Sequence, residues 1–144
     1  MTRRSFGLLL ALLGLAAACE PPSDRAVEPV WGKQPCGHCA MLLQDRSAAA
    51  ELVTPSGERV YFDDVGCMIS WLDERKIAPS HAWVRGPGGR GWVEARATLY
   101  APGARTPMDF GFVAAAAAAG ADAISYDEMA RRVLGRAASR KEAP

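Results

Sequence analysis

The sequence predicts an α+β fold made of two tandem β-β-α-β units followed by a C-terminal helix. Three observations lead there. Short apolar runs of strand length alternate with Pro, Gly and Ser. One stretch, from Asp64 to Arg75, has the apolar spacing of a helix. The second half of the chain then repeats the same order of elements.

In chain order, the first residues read as an export signal. Arg3 and Arg4 precede a short apolar run, Gly7 to Leu15, and Ala16-Ala17-Ala18 supplies the small residues of a cleavage site. That run is far below the ~20 residues of a membrane-spanning helix. The Ala-Ala-Ala-Cys junction resembles a bacterial lipobox, with Ala16 where Leu is commonest, and makes Cys19 the candidate lipidation site. Thr2 to Phe6 also resembles a twin-arginine signal. Residues 1–18 are therefore expected to be a lipoprotein signal peptide. Residues 19–30, beginning Glu20-Pro21-Pro22-Ser23, are expected to be a polar tether, holding the domain on the periplasmic face of a bacterial membrane.

The domain is expected over residues 31–135. Ala48 to Thr54 and Glu58 to Phe62 read as strands joined by the turn Pro55-Ser56-Gly57. Asp63 or Asp64 can cap a helix to about Arg75, with Val65, Met68, Ile69 and Leu72 on its core face and Cys67 off the centre of it. His81 to Arg85 is a third strand. The second unit takes Trp92–Glu94 and Thr98–Ala101 as strands. A helix capped by Asp109 runs through the alanines to Ala119, stopped by Gly120, and Ala123–Ser125 is a short strand. Ser125 with Glu128 forms a capping box for the last helix, and residues 136–144 read as a frayed tail. Gly86 to Gly91 spells G-x-G-x-x-G but joins two strands, so it is a loop and no dinucleotide fingerprint.

Charge and cysteine content narrow the function. Removing residues 1–18 leaves 144 − 18 = 126 residues, with 17 − 2 = 15 basic against 16 acidic side chains. That net charge near −1, without a basic stripe on the mature chain as a whole, argues against nucleic acid as a partner. Beyond Cys19, Cys36, Cys39 and Cys67 are an odd number of thiols for an oxidising compartment.

The chemistry concentrates in Pro35 to Met41, PCGHCAM, which offers two thiols, the His38 imidazole and the Met41 thioether. Thiolate and thioether sulfurs are soft donors that select Cu(I). In an extended strand, Cys39 and Met41 would leave on one face. Equally, Cys36–Cys39 could be a disulfide, Met41 core and His38 a turn residue. Cys67 is either an inert half-buried thiol or a third sulfur ligand, and Met68 belongs to the apolar face. Met108, in Thr106-Pro107-Met108, stands outside any apolar stripe, and His81 reads as structural.

CGHCAM, YFDDVGCMISWL, HAWV with GWVEARATLY, and ARTPMDFGFVAAAAAAGA, in this order over about residues 31 to 134, resemble the NosL family. These are lipoproteins that accompany the maturation of nitrous oxide reductase. The family's C-G-M is C-A-M here, with Ala40 for Gly, and its Gly-Pro-Met is Thr106-Pro107-Met108. The resemblance implies a NosL-like domain of two β-β-α-β units acting as a Cu(I) chaperone. Its partner would be nitrous oxide reductase or its membrane assembly complex. Cys39, Met41 and Met108 match the family's ligand motifs, and Cys36, His38 and Cys67 are local additions. No acid–base pair or partnered nucleophile suggests an enzyme. The competing readings are a thiol–disulfide oxidoreductase on Cys36 and Cys39, a zinc site on Cys36, His38, Cys39 and Cys67, and a copper chaperone for another exported protein.

Overall fold

The computed structural model describes residues 22–116 and 120–143; the expected signal peptide, Cys19 and the end of the alanine run lie outside them. The elements are β1 (Ala50–Val53), β2 (Arg59–Phe62), α1 (Val65–Arg75), β3 (His81–Arg85), β4 (Trp92–Glu94), β5 (Tyr100–Pro102), β6 (Phe112–Ala114) and α2 (Tyr126–Glu142). β1 to β4 form an antiparallel sheet in the order β2-β1-β3-β4, and β5 and β6 form a separate antiparallel pair.

Side-chain alternation gives the sheet two different faces. Ala50 and Leu52 on β1 stand opposite Phe62 and Val60 on β2, and opposite Val84 and Ala82 on β3. This face meets α1, where Phe62 packs edge-on to Trp71 at 5.8 Å between centroids. On the other face, Glu51 lies level with Tyr61 and Trp83. Glu51 is fully buried, and a buried carboxylate must be paired and hydrogen-bonded. The N-terminal segment and Arg59 meet that need. Val27 N donates to Glu51 Oε1 at 2.7 Å and Arg59 Nη1 to Oε2 at 3.1 Å.

That segment was expected to be a tether up to residue 30. From Pro22 onward it is instead a strap across the sheet. Arg59 Nη2 donates to Pro22 O and Arg25 O, the Tyr61 hydroxyl to Val27 O, and Trp31, Trp92 and Arg85 all donate to Glu28.

α1 begins as expected, with Asp64 as its cap accepting from Gly66 N at 2.8 Å. Every residue from Val65 to Trp71 is buried, however, including Cys67. The first half of the helix is enclosed on all sides, so the amphipathic stripe read from sequence holds only for its second half. Gly66 permits the closest of these approaches, since a Cβ there would lie 2.1 Å from Phe110 Cγ.

The second half of the chain departs from the tandem repeat. β4 joins the first sheet beside β3. The helix expected from Asp109 does not form: Asp109 has a left-handed backbone (φ 55°), and Phe112–Ala114 is strand β6, paired with β5. Phe112 is fully buried and Ala114 buried, with Val113 between them less so, the period of a strand. Pairing and burial of Phe112 override alanine's helix propensity here. The expected strand at Ala123–Ser125 is reduced to one bridge, Ile124 with Tyr100.

α2 is capped by Ser125, whose Oγ accepts from Glu128 N at 3.3 Å. It buries Tyr126, Met129 and Val133. The expected frayed tail from Arg136 is helix to Glu142. No helix among the described residues is long and apolar enough to cross a membrane.

Candidate metal centre

The loop ahead of β1 is a tight hairpin. Pro35 bridges Leu42, Cys36 N donates to Met41 O at 2.7 Å, and Ala40 N donates to Cys36 O at 3.1 Å. Its tip is pinned to β2 by Gly37 N donating to Tyr61 O at 2.8 Å. A side chain at Gly37 would collide with Val60, its Cβ 2.4 Å from Cγ1, so glycine lets the tip lie on the strand. This close approach presses Cys36 down against the first turn of α1, where Cys67 waits.

The result is a cluster. The sulfurs of Cys36, Cys39 and Cys67 all lie within 4.8 Å of one another, and none forms a disulfide among the described residues. Cys36 (4 % exposed) and Cys67 (0 %) are buried, and Cys39 is half-buried. Three sulfurs about 2.3 Å from one metal ion in a plane would sit about 4.0 Å apart, so a small inward movement would complete a three-coordinate site.

The three thiols are shifted in opposite directions. The Cys67 thiol donates to the Cys36 sulfur, outweighing burial, and backbone groups of Cys39, Asp63 and His38 add to it; the Cys36 thiol is held near 5, well below its usual value. The same bond, with burial, drives the Cys67 thiol far upward. Burial, with Cys36 beside it, raises Cys39. Of the three, Cys36 is the thiol shifted toward its anionic form, in a largely enclosed, sulfur-lined space.

The other candidates are outside this three-sulfur set. Cys39 and Met41 do not share the face of a strand, because Ala40 between them has φ 62° and turns the chain. Met41 is at the surface, 46 % exposed, with its carbonyl on Cys36 N. His38 lies outside the three-sulfur set. Its Nε2 is 3.4 Å from Glu74 Oε1 on α1, and its buried Nδ1 has no partner among the described residues. Met108 is half-buried against the core. His81 stacks on Trp83, 5.4 Å between centroids, on the strapped face of the sheet, consistent with a structural part.

Two acidic residues position these loops, and the sequence suggested only that one of them caps α1. Asp63 Oδ1 accepts from Gln44 N at 3.0 Å, tying down the cysteine loop. Asp64 is fully buried. Its Oδ1 accepts from Gly66 N at the start of α1, and its Oδ2 from Met108 N at 3.2 Å. Burial raises the Asp64 carboxyl, against hydrogen bonds from Thr106, Gly66, Met108 and Phe110. One carboxylate thereby joins the turn carrying Cys67 to the loop carrying Met108. The signal was present as a pair of adjacent acids where a single cap would suffice. Arg140 of α2 holds that loop from the far side, donating to Met108 O at 3.0 Å and Asp109 O at 3.1 Å.

The molecule has a NosL-like fold. It superposes on the crystal structure of the copper chaperone NosL from Shewanella denitrificans with a TM-score of 0.51, over 81% of this chain and 89% of that one, at 16% sequence identity. No family model matches the sequence, and no curated protein matches it.

Proposed function

We propose that the three-cysteine cluster binds Cu(I) and that the protein is a copper chaperone, a carrier and not an enzyme. The observation that carries this reading is the convergence of Cys36, Cys39 and Cys67 within 4.8 Å. An all-sulfur set favours Cu(I) over hard cations. Three ligands leave coordination open, as a carrier that must release its cargo requires. The half-buried Cys39, with the Met41 thioether exposed two residues on, provides an exit, and Met108 is a further soft donor on a loop tied to the start of α1 through Asp64. The NosL-like fold supports delivery to nitrous oxide reductase or its membrane assembly complex. The first nineteen residues support export and a lipid on Cys19, at the periplasmic face of a membrane.

The test is an anaerobic titration of the reduced protein with Cu(I) against a chromophoric Cu(I) chelator. One equivalent should bind tightly, and Cys67→Ser should weaken binding at least ~100-fold, about 2.8 kcal/mol. Circular dichroism of the variant separates loss of a ligand from loss of fold. Wild-type affinity in Cys67→Ser would remove that residue from the site, and preferential retention of zinc would replace the copper reading. For the client, nitrous oxide reductase isolated from cells lacking this chain should be copper-poor.

The lowered Cys36 thiol gives one reason to keep a thiol–disulfide oxidoreductase in view. Such enzymes set the reactive thiol at a helix N-terminus, whereas Cys36 sits in a hairpin. Insulin-reductase activity at the level of a known oxidoreductase would favour that alternative.

A further inference from the structure

The most uneven charge in the molecule lies on α2. From residue 131 to 142 the helix carries Arg131, Arg132, Arg136, Arg140 and Lys141 against Glu142 alone, in a chain of net charge +1. Arg132, Arg136 and Arg140 are four residues apart and share one face. They line an open cavity of about 740 Å³ in which, among the described residues, Asp109 is the one carboxylate. Arg132 is shared with Glu128 at 2.7 Å. Arg136 and Arg140 form no ion pair among the described residues; their guanidinium groups donate to the carbonyls of Phe110, Met108 and Asp109. A guanidinium has five N–H donors in a planar fork, so each keeps donors for a further acceptor.

This face borders the metal centre. Arg140 holds the carbonyl of Met108. Lys141 Nζ lies 3.9 Å from Glu74 Oε1, the atom that His38 Nε2 meets next to Cys39. The face is also remote from where the chain enters the domain. α2 packs on α1, α1 covers one face of the sheet, and Pro22 to Glu28 lie across the other.

We propose that the C-terminal half of α2 is a docking surface for the acidic face of a partner protein, whose carboxylates are received by Arg132, Arg136, Arg140 and Lys141. This rests on the copper reading only in making that partner the one that takes the metal. Arginine pairs with carboxylates bidentately, and three guanidiniums spread over eight residues of helix, about 12 Å, span more than one small anion fills. The position of the face, across the sheet from Pro22, favours a protein over the surface to which the N-terminus leads. Incoming carboxylates would also compete for the donors that hold the 108–110 carbonyls, so docking is felt at the Met108 loop.

The test uses the metal-free, reduced, isotopically labelled protein, so that failure of copper binding leaves it intact. Backbone amide shifts are followed during titration with a decaglutamate peptide, with inorganic phosphate, and with phosphatidylglycerol vesicles. The peptide should move amides at 103–111 and 131–142 and bind severalfold more weakly as ionic strength rises from about 50 to about 200 mM. Arg132→Glu with Lys141→Gln, which leaves the Arg136 and Arg140 bonds in place, should weaken the peptide at least about tenfold while Cu(I) affinity stays unchanged. Peptide binding indifferent to that double variant, or shifts elsewhere on the protein, would overturn the proposal. Phosphate binding as tightly at the same amides would reduce it to a small-anion site. Vesicle binding lost in the double variant would hand the surface to the membrane, and either outcome rejects a protein dock.

Discussion

Ala40 illustrates how much one residue can reveal about the hairpin. Its left-handed backbone, φ 62°, crowds Cβ against the following carbonyl at a cost of roughly 1–2 kcal/mol, which glycine avoids. Part of that advantage is offset by glycine's freedom in the unfolded chain. Ala40→Gly should therefore stabilise the protein by ~0.5–1 kcal/mol in denaturant unfolding; a loss of stability would mean the loop does not turn as described. Tyr61 supplies a second expectation at this scale. Burial, with the Glu51 carboxylate beside it, pushes its hydroxyl up to about 12 from 10. The folded state therefore prefers the protonated phenol. That contribution to stability is complete below pH 10 and is lost as pH rises through about 12. Tyr100 and Tyr126, the only other tyrosines, are shifted the same way by burial. Tyrosinate absorbance should thus appear above pH 10 and track the loss of circular dichroism. Half-ionised tyrosine at pH 10 in a folded protein would contradict this.

Among the elements, α2 departs most usefully from expectation. Read as a tail, residues 136–144 should be dispensable. In the structure Arg136 and Arg140 hold three consecutive carbonyls of the Met108 loop. Truncation after Gly135 should lower the thermal midpoint and raise hydrogen exchange at amides near Phe110 and Phe112 relative to the full chain; unchanged exchange would return the segment to the status of a tail. The elements legible in the sequence were those set by local chemistry. The Pro55-Ser56-Gly57 hairpin, the Asp64 cap and the Ser125 cap all depend on residues a few positions apart. The alanine-rich stretch was misleading because Phe112 is committed to β6 by its pairing with Pro102 and by the core, which no window of sequence contains. Cys39 and Met41 part for a local reason, since alanine does not advertise the left-handed turn at residue 40.

For the molecule as a whole, the three-cysteine cluster depends on contacts remote in sequence. Its residue types were readable: thiols in a C-x-x-C and a third cysteine. Their convergence was not, because it needs Gly37 on β2, Cys36 against α1 and Asp63 on Gln44 N together. The N-terminal strap was equally hidden. Its residues are polar and proline-bearing like a linker, and only the buried Glu51 and Arg59 on the sheet reveal why they are held.

That strap has a mechanical consequence. With Cys19 lipidated as proposed, residues 20 and 21 alone separate the acylated cysteine from Pro22. Three steps of chain reach at most about 11 Å. The domain would then ride on the bilayer as on a short post, with its height and tilt restricted. Encounters with a client would be governed by lateral diffusion in the plane and by whether the client presents its receiving groups at that height.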